Sequence, residues 1–182
     1  MHTPMKNQLF QLSIATREGQ FVARYSAKGL AELNFPVGRP SSAVAPLRRV
    51  EASPRAVKTN GVPTRILRSH RKTVAALKNA LAGCAAKNLP PLDLSAGTEF
   101  QQKVWNALRK ISAGKTKSYG EIAEAVGKPK AVRAVGGACG ANPIPIFVPC
   151  HRVLAANNKL GGFSGGLSWK RTLLAREGAS FR

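Results

Sequence analysis

Prolines limit where regular structure can form in this chain. Pro36, Pro40, Pro46, Pro54 and Pro63 interrupt residues 36–64, and Pro90-Pro91 closes the stretch that follows. Proline fixes φ and removes a backbone donor, so neither a helix interior nor a central strand passes through such a segment. Before the first break, Leu12 and Ile14 alternate with polar neighbours, Glu18-Gly19 offers a turn, and Phe21, Ala23 and Tyr25 alternate again. A second turn at Lys28-Gly29 leads to Ala31, Leu33 and Phe35. This period of two over residues 9–35 predicts a small antiparallel meander. Residues 36–64 read as a long mobile loop, compatible with a solvated linker or a DNA-touching arm. Val74, Leu77 and Leu81 predict a helix over 69–86. Pro90-Pro91 is the expected domain boundary, giving units at 1–91 and 92–182.

After that boundary the pattern turns helical. Thr98-Glu99-Phe100-Gln101 and Ser118-Tyr119-Gly120-Glu121 are both capping boxes, in which a hydroxyl and a polar side chain three residues on satisfy each other's backbone donors. The first predicts a helix burying Phe100, Val104, Leu108 and Ile111 with Trp105 beside them. The second opens a short helix that stops at Gly127-Lys128-Pro129, and a third runs from about Lys130 to Cys139. Two short helices around a glycine turn predict a helix-turn-helix. From Ala131 to Ala138 its second helix carries Arg133 as its one long polar side chain among Ala131, Ala134, Gly136 and other small residues. Reading base edges in the major groove takes several Arg, Asn or Gln. Small residues suit instead a close approach, either to a narrow groove or to another helix.

Charge narrows the partner. The chain has 29 Lys+Arg against 8 Asp+Glu, a net charge of +21 over 182 residues. Residues 1–92 carry 15 basic and 3 acidic side chains, and residues 93–182 carry 14 and 5, so the excess is no detachable tail. Phosphate contacts dominate non-specific DNA affinity, which makes nucleic acid the expected polyanion. No apolar run is long enough to span a bilayer, and the first 15 residues lack a continuous apolar signal region, so a cytoplasmic protein with no membrane partner is expected. Cys84, Cys139 and Cys150, with His2, His70 and His151, form no metal-ligand spacing, so no metal is expected; Cys84 and Cys139 read as packing residues.

The chemistry concentrates in Asn142-Pro143-Ile144-Pro145-Ile146-Phe147-Val148-Pro149-Cys150-His151-Arg152-Val153. A thiol near its ordinary pKa of about 8.5 is a weak nucleophile at neutral pH, and a neighbouring base raises its thiolate share. His151 is the adjacent base. Side chains of neighbours in an extended segment diverge, so the pair needs a turn or a bridging water. Glu177 is the one acid downstream of Cys150 and the candidate to orient the imidazole. On the residues alone, a structural Cys-His pair and a nucleophilic one both remain open.

Pro149-Cys150-His151-Arg152-Val153, with Asn142-Pro143 before it and Phe163-Ser164-Gly165-Gly166-Leu167 and Leu173-Leu174-Ala175-Arg176-Glu177-Gly178 after it, resembles the O6-alkylguanine-DNA alkyltransferase family (methylated-DNA–protein-cysteine methyltransferases). The likeness covers about residues 94–180; the first half matches in outline. It implies an α+β chain, with a small ribonuclease-H-like antiparallel sheet domain before a helical, winged-helix-like domain containing the helix-turn-helix. It implies Cys150 as alkyl acceptor, activated through water by His151, with Glu177 orienting that histidine and Asn142 bracing the preceding turn. Arg133 becomes the finger filling the gap left by an extruded guanine, with Ala131, Ala134 and Gly136 against the minor groove. Tyr119 would press on the target phosphate and stabilise the leaving guanine, while groups at Val153, Phe163 and Ser164 hold the base. Many relatives carry tyrosine where this chain has Phe163, which leaves an apolar wall without a hydroxyl.

The implied function is direct reversal of O6-alkylguanine, extending to O4-alkylthymine, in duplex DNA by a cofactor-free, single-use, nucleoid-associated monomer. Two rivals stand beside it. A helix-turn-helix lesion sensor or regulator would leave Cys150 inert, and a cysteine hydrolase would turn over repeatedly without DNA.

Overall fold

The structure is a computed structural model that describes residues 9–36 and 61–182. Most of the segment read as a loop over 36–64 lies outside the described residues, as does the start of the chain. The expected meander is present: β1 (Phe10–Thr16), β2 (Gly19–Tyr25) and β3 (Leu30–Asn34) form an antiparallel sheet in sequence order. Its register pairs Leu12 with Ala23 and Ile14 with Phe21, so the apolar set of each strand faces one side. That face is buried at Leu12, Ile14, Phe21, Ala23, Tyr25 and Leu33. Full burial of a large apolar side chain contributes roughly 1.5–3 kcal/mol.

Helix α1 (Thr64–Leu81) follows. The helix expected over 69–86 therefore starts and ends about five residues earlier. Pro63 stands at its N-cap, where a missing donor costs nothing, and buried Ser69 and Thr73 hide part of the inner face from a count of apolar residues alone. At the other end Gly83 N–H donates to Ala80 and Cys84 N–H to Asn79, each at 3.0 Å, closing the helix through a left-handed glycine at φ +80°. Cys84, expected to pack, is exposed just past this stop.

The edge of β3 is covered by the rest of the chain. Leu30 N–H donates to Pro91 (2.8 Å), Asp93 N–H to Leu30 (2.7 Å), and Leu33 N–H to Pro143 (2.9 Å). These bonds satisfy edge groups that would otherwise attract another strand, and the last one attaches the segment leading to Cys150 directly to the sheet.

The C-terminal region is helical. Both capping boxes form as expected, at Thr98 for α2 (Glu99–Leu108) and at Ser118 for α3 (Tyr119–Ala125). In α2, Val104, Trp105 and Leu108 are buried and Phe100 is half-buried; Ile111 is buried but lies beyond the helix end. Lys117–Ser118 (β4) pairs in parallel with Val153–Leu154 (β5), setting the start of α3 beside the strand that follows Cys150. Helix α4 (Val132–Gly140) completes the helix-turn-helix, and α5 (Leu167–Arg176) closes the core through Trp169, Leu173 and Leu174. No helix among the described residues is long and apolar enough to cross a membrane.

The ends of α1 and α5 meet. Arg176 donates to the Leu81 carbonyl (2.9 Å) and to Glu18 (2.5 Å), and a Cβ at Gly83 would lie 2.1 Å from the Arg176 carbonyl oxygen. Gly83→Ala therefore combines a left-handed backbone with a backbone overlap. It is expected to cost about 2 kcal/mol or more in chemical denaturation, whereas a loss under about 0.5 kcal/mol, ordinary for a surface site, would show that the two helix ends are not locked together.

Candidate functional site

Residues 142–154 build the centre of the site. Asn142 is buried at the end of α4, and its side chain works in three directions. Its amide donates to the Val148 carbonyl (2.7 Å) and to Cys150 Sγ (3.0 Å), while its Oδ1 accepts from Ile144 N–H (3.0 Å). This folds the proline-stiffened run into a closed turn and points a donor at the sulfur. The chain then enters a 3-10 turn over Cys150–Arg152. That turn answers the geometric difficulty posed by an extended Cys-His pair, since successive side chains no longer point to opposite faces.

His151 is fully buried, and its Nε2 lies 3.0 Å from Glu177 Oε1. Glu177 also accepts from Arg152, whose Nε (2.9 Å) and Nη2 (2.8 Å) grip both carboxylate oxygens, and from Gly114 N–H (3.4 Å). Burial alone would raise this carboxyl, but the hydrogen bonds from His151 and Arg152 and the charge of Arg152 outweigh it and hold it down at about 2. An ionised carboxylate only accepts, so Nε2 must carry the proton. Burial also lowers the pKa of His151, which leaves the ring neutral with Nδ1 as its free base nitrogen. Nδ1 is buried and has no hydrogen-bond partner among the described residues.

Cys150 is 3% exposed, and desolvation raises its thiol above the ordinary value; the Asn142 amide and the charge of Lys170 oppose that rise. Its resting form is the thiol, so a base must act for it to react. The sequence reading does not single out Lys170. This side chain is 0% exposed, with its Nζ donating to the carbonyls of Val153 (2.6 Å), Leu160 and Gly162 (3.3 Å). Burial brings its pKa down to about 8. Three carbonyls gathered on one ammonium hold both ends of the loop from β5 to Gly162. The sequence signal was helical spacing, since Lys170 shares the inner face of α5 with Leu173 and Leu174.

A cavity of about 170 Å³ opens at the sulfur. Tyr119, Cys139, Phe163 and Ser164 line it with Cys150, and so do Gly136 and Gly140 of α4. Tyr119 is placed by the β4–β5 pairing, and desolvation raises its pKa, keeping the phenol protonated. Phe163 stands edge-on to His151 (centroids 6.4 Å) and to Phe35 (5.7 Å), and Phe35 packs tilted against Trp169 (4.8 Å). Val153 is buried and its carbonyl is taken by Lys170, so it does not line the cavity. Arg133 and Ala134 are exposed on α4, with Ala131 and Gly136 half-buried. Cys139 is buried as expected, but at the cavity wall.

The model of the 6-O-methylguanine DNA methyltransferase DNA-binding domain matches residues 99–179. A solved structure titled as Mycobacterium tuberculosis OGT in complex with DNA is 36% identical, covers 91% of each chain and superposes with a TM-score of 0.69. The chain belongs to the 6-O-methylguanine DNA methyltransferase family. Curated relatives named methylated-DNA–protein-cysteine methyltransferase agree: the Mycolicibacterium paratuberculosis protein is 62% identical over 86 residues, 47% of this chain and 52% of that protein. The Methanosarcina acetivorans protein is 59% identical over 83 residues, 46% and 53%. These two matches thus span about half the length of those relatives. The N-terminal sheet and C-terminal helical region form the two-part architecture that the family's solved structures share.

Glu177 links this site to stability. Its folded value of about 2 lies below the ordinary carboxyl value of 4.5. Between those pH values the unfolded chain binds the proton and the folded chain does not, so this contribution is complete above pH 4.5 and drains away toward pH 2. Urea unfolding of Glu177→Gln is expected to show a loss of about 2 kcal/mol at pH 7 and a shallower fall in acid. Parallel curves for variant and parent would contradict the buried ionised carboxylate.

Proposed function

We propose that this protein repairs DNA by moving the alkyl group of O6-alkylguanine onto Cys150, once per molecule. The observation that carries the reading is the order Glu177, His151, Cys150, cavity: an ionised carboxylate fixes the imidazole tautomer, the imidazole keeps a free base nitrogen, and Cys150 lines the cavity together with Tyr119. His151 Nδ1 takes the thiol proton through a water. The thiolate attacks the alkyl carbon as the C–O6 bond breaks, the bonding pair passes to guanine, Tyr119 supplies the proton that neutralises it, and the proton held by His151 returns through water to the phenolate. The product thioether has no leaving group that this site can activate, so the protein ends alkylated.

Reaching the cavity requires the nucleotide to leave the base stack. Unstacking costs a few kcal/mol, less at a damaged base. Exposed Arg133 is the finger that fills the vacated space, and the small residues Ala131, Ala134 and Gly136 let α4 lie in the minor groove. Phe163 and Ser164 bound the base in the cavity. O4-alkylthymine offers an equivalent alkyl carbon and is a second substrate. The protein acts as a monomer in the nucleoid, with residues 1–91 supporting a DNA-binding and acceptor unit at 92–182.

Incubation with a duplex carrying O6-methylguanine is expected to add one methyl to the Cys150 peptide, at one per molecule, and Cys150→Ser should abolish the transfer. Bound DNA with an unmodified peptide would support a lesion sensor, and repeated turnover without DNA a hydrolase.

Arg133→Ala separates extrusion from chemistry. Losing even about 1.4 kcal/mol of support for the flipped state slows duplex repair about tenfold, while reaction with free O6-benzylguanine should stay unchanged. Equal losses in the two assays would refute the finger.

A further inference from the structure

The strongest unassigned feature lies outside the helix-turn-helix, on α1. Between Glu51 and Asp93 the sequence has eight cations and no acid. Five of the eight, Arg65, Arg68, Arg71, Lys72 and Lys78, are on α1 and all are exposed. At 3.6 residues per turn they fall within an arc of about 140°. Ile66, Ser69, Thr73, Ala76, Leu77, Ala80 and Leu81 occupy the opposite arc and are buried, which fixes the orientation of the helix and presents the cations together. Exposed Ala75 lies in the middle of the cationic arc and adds no bulk there.

This arrangement works against the helix that carries it. Arg65–Arg68, Arg68–Arg71 and Arg68–Lys72 are like-charge pairs at i,i+3 or i,i+4, which repel. The first turn has no acid, and Arg65 and Arg68 lie toward the end where the helix dipole disfavours cations. Elsewhere the chain spends its few acids on pairing: Glu32 with Arg24, Glu99 with Lys103, Glu121 with Lys117, and Glu177 with Arg152. None of the five α1 cations has an ion-pair partner among the described residues.

We propose that the exposed face of α1 is a second contact surface for duplex DNA, separate from the helix-turn-helix and independent of sequence or damage. From Arg65 to Lys78 the row extends about 20 Å at 1.5 Å per residue, and a duplex carries a negative charge about every 1.7 Å of its axis. Counterion release on contact offsets the repulsion within the row. This surface lies outside the acceptor site and goes beyond the alkyl-transfer reading; it holds the protein on undamaged DNA.

The test is the salt dependence of binding to an undamaged duplex oligonucleotide, using the full chain. Replacing Arg65, Arg68, Arg71 and Lys72 together with Gln is compared with replacing the scattered exposed cations Lys28, Lys87, Lys103 and Arg171, an equal change in net charge. Each neutralised phosphate contributes about 0.9 to the log–log slope, so the α1 set should reduce it by about two to four and the scattered set by less than about one. Arg68→Gln with Lys72→Gln should give about half the α1 effect, and thermal melting checks that each variant is folded; neutralising repulsive pairs should not lower the melting point.

Equal slopes for the two sets, or an α1 set that matches the parent, would overturn the proposal. If the parent transfers the methyl group while the α1 set binds as before, only the second surface fails. If the parent does not bind duplex DNA, this surface and the DNA-repair reading fail together.

Discussion

The carboxylate of Glu177 is the point on which the candidate site depends. It ends α5, receives His151, holds Arg152 through two parallel bonds and meets the Gly114 backbone. Arg152 continues to the Ile111 carbonyl (2.5 Å), so the loop after α2, the turn containing Cys150 and the last helix share one buried ionic centre. A carboxylate this dry is tolerable because its oxygens are supplied with donors and a cation. Its ionisation dictates the imidazole tautomer, and the tautomer dictates which nitrogen is left for chemistry.

A second support comes from the sheet. Phe21 contacts Trp169 edge-on (5.6 Å), Trp169 packs tilted against Phe35, Phe35 reaches Phe163, and Phe163 reaches His151. This run of rings carries the packing of the N-terminal sheet to the base of the cavity, while the Leu33–Pro143 bond carries its edge to the turn before Cys150. Phenylalanine at position 163 suits such a wall, because the rings behind it, Phe35, Trp169 and Phe21, pack ring against ring. The N-terminal sheet is therefore part of what positions the site, although it adds no residue to the cavity around the sulfur.

Much of this was legible in local sequence. The strand meander, both capping boxes and the glycine turn between α3 and α4 rest on signals contained within a few residues, and local hydrogen bonding realises them. The bounds of α1 were less legible, because its inner face mixes alanines with buried Ser69 and Thr73. Cys84 looked like a packing residue by type and is exposed, since residue type says little about a position just after a helix stop. Lys170 is not legible in the sequence, because a lysine reads as surface unless its helical face is known to be interior.

The amino-acid sequence alone determined the order of elements, the excess of positive charge and the run of residues around Cys150 that holds the candidate nucleophile, because periodicity, caps and composition are local properties of a chain. Tertiary structure decided which groups meet. Glu177 lies 26 residues from His151 in sequence, and Tyr119 lines the same cavity as Cys150 because β4 pairs with β5. The depressed carboxyl, the neutral imidazole and the resting thiol are consequences of burial and of those long-range partners. Such shifts arise from desolvation and close charge, which no run of neighbouring residues can specify.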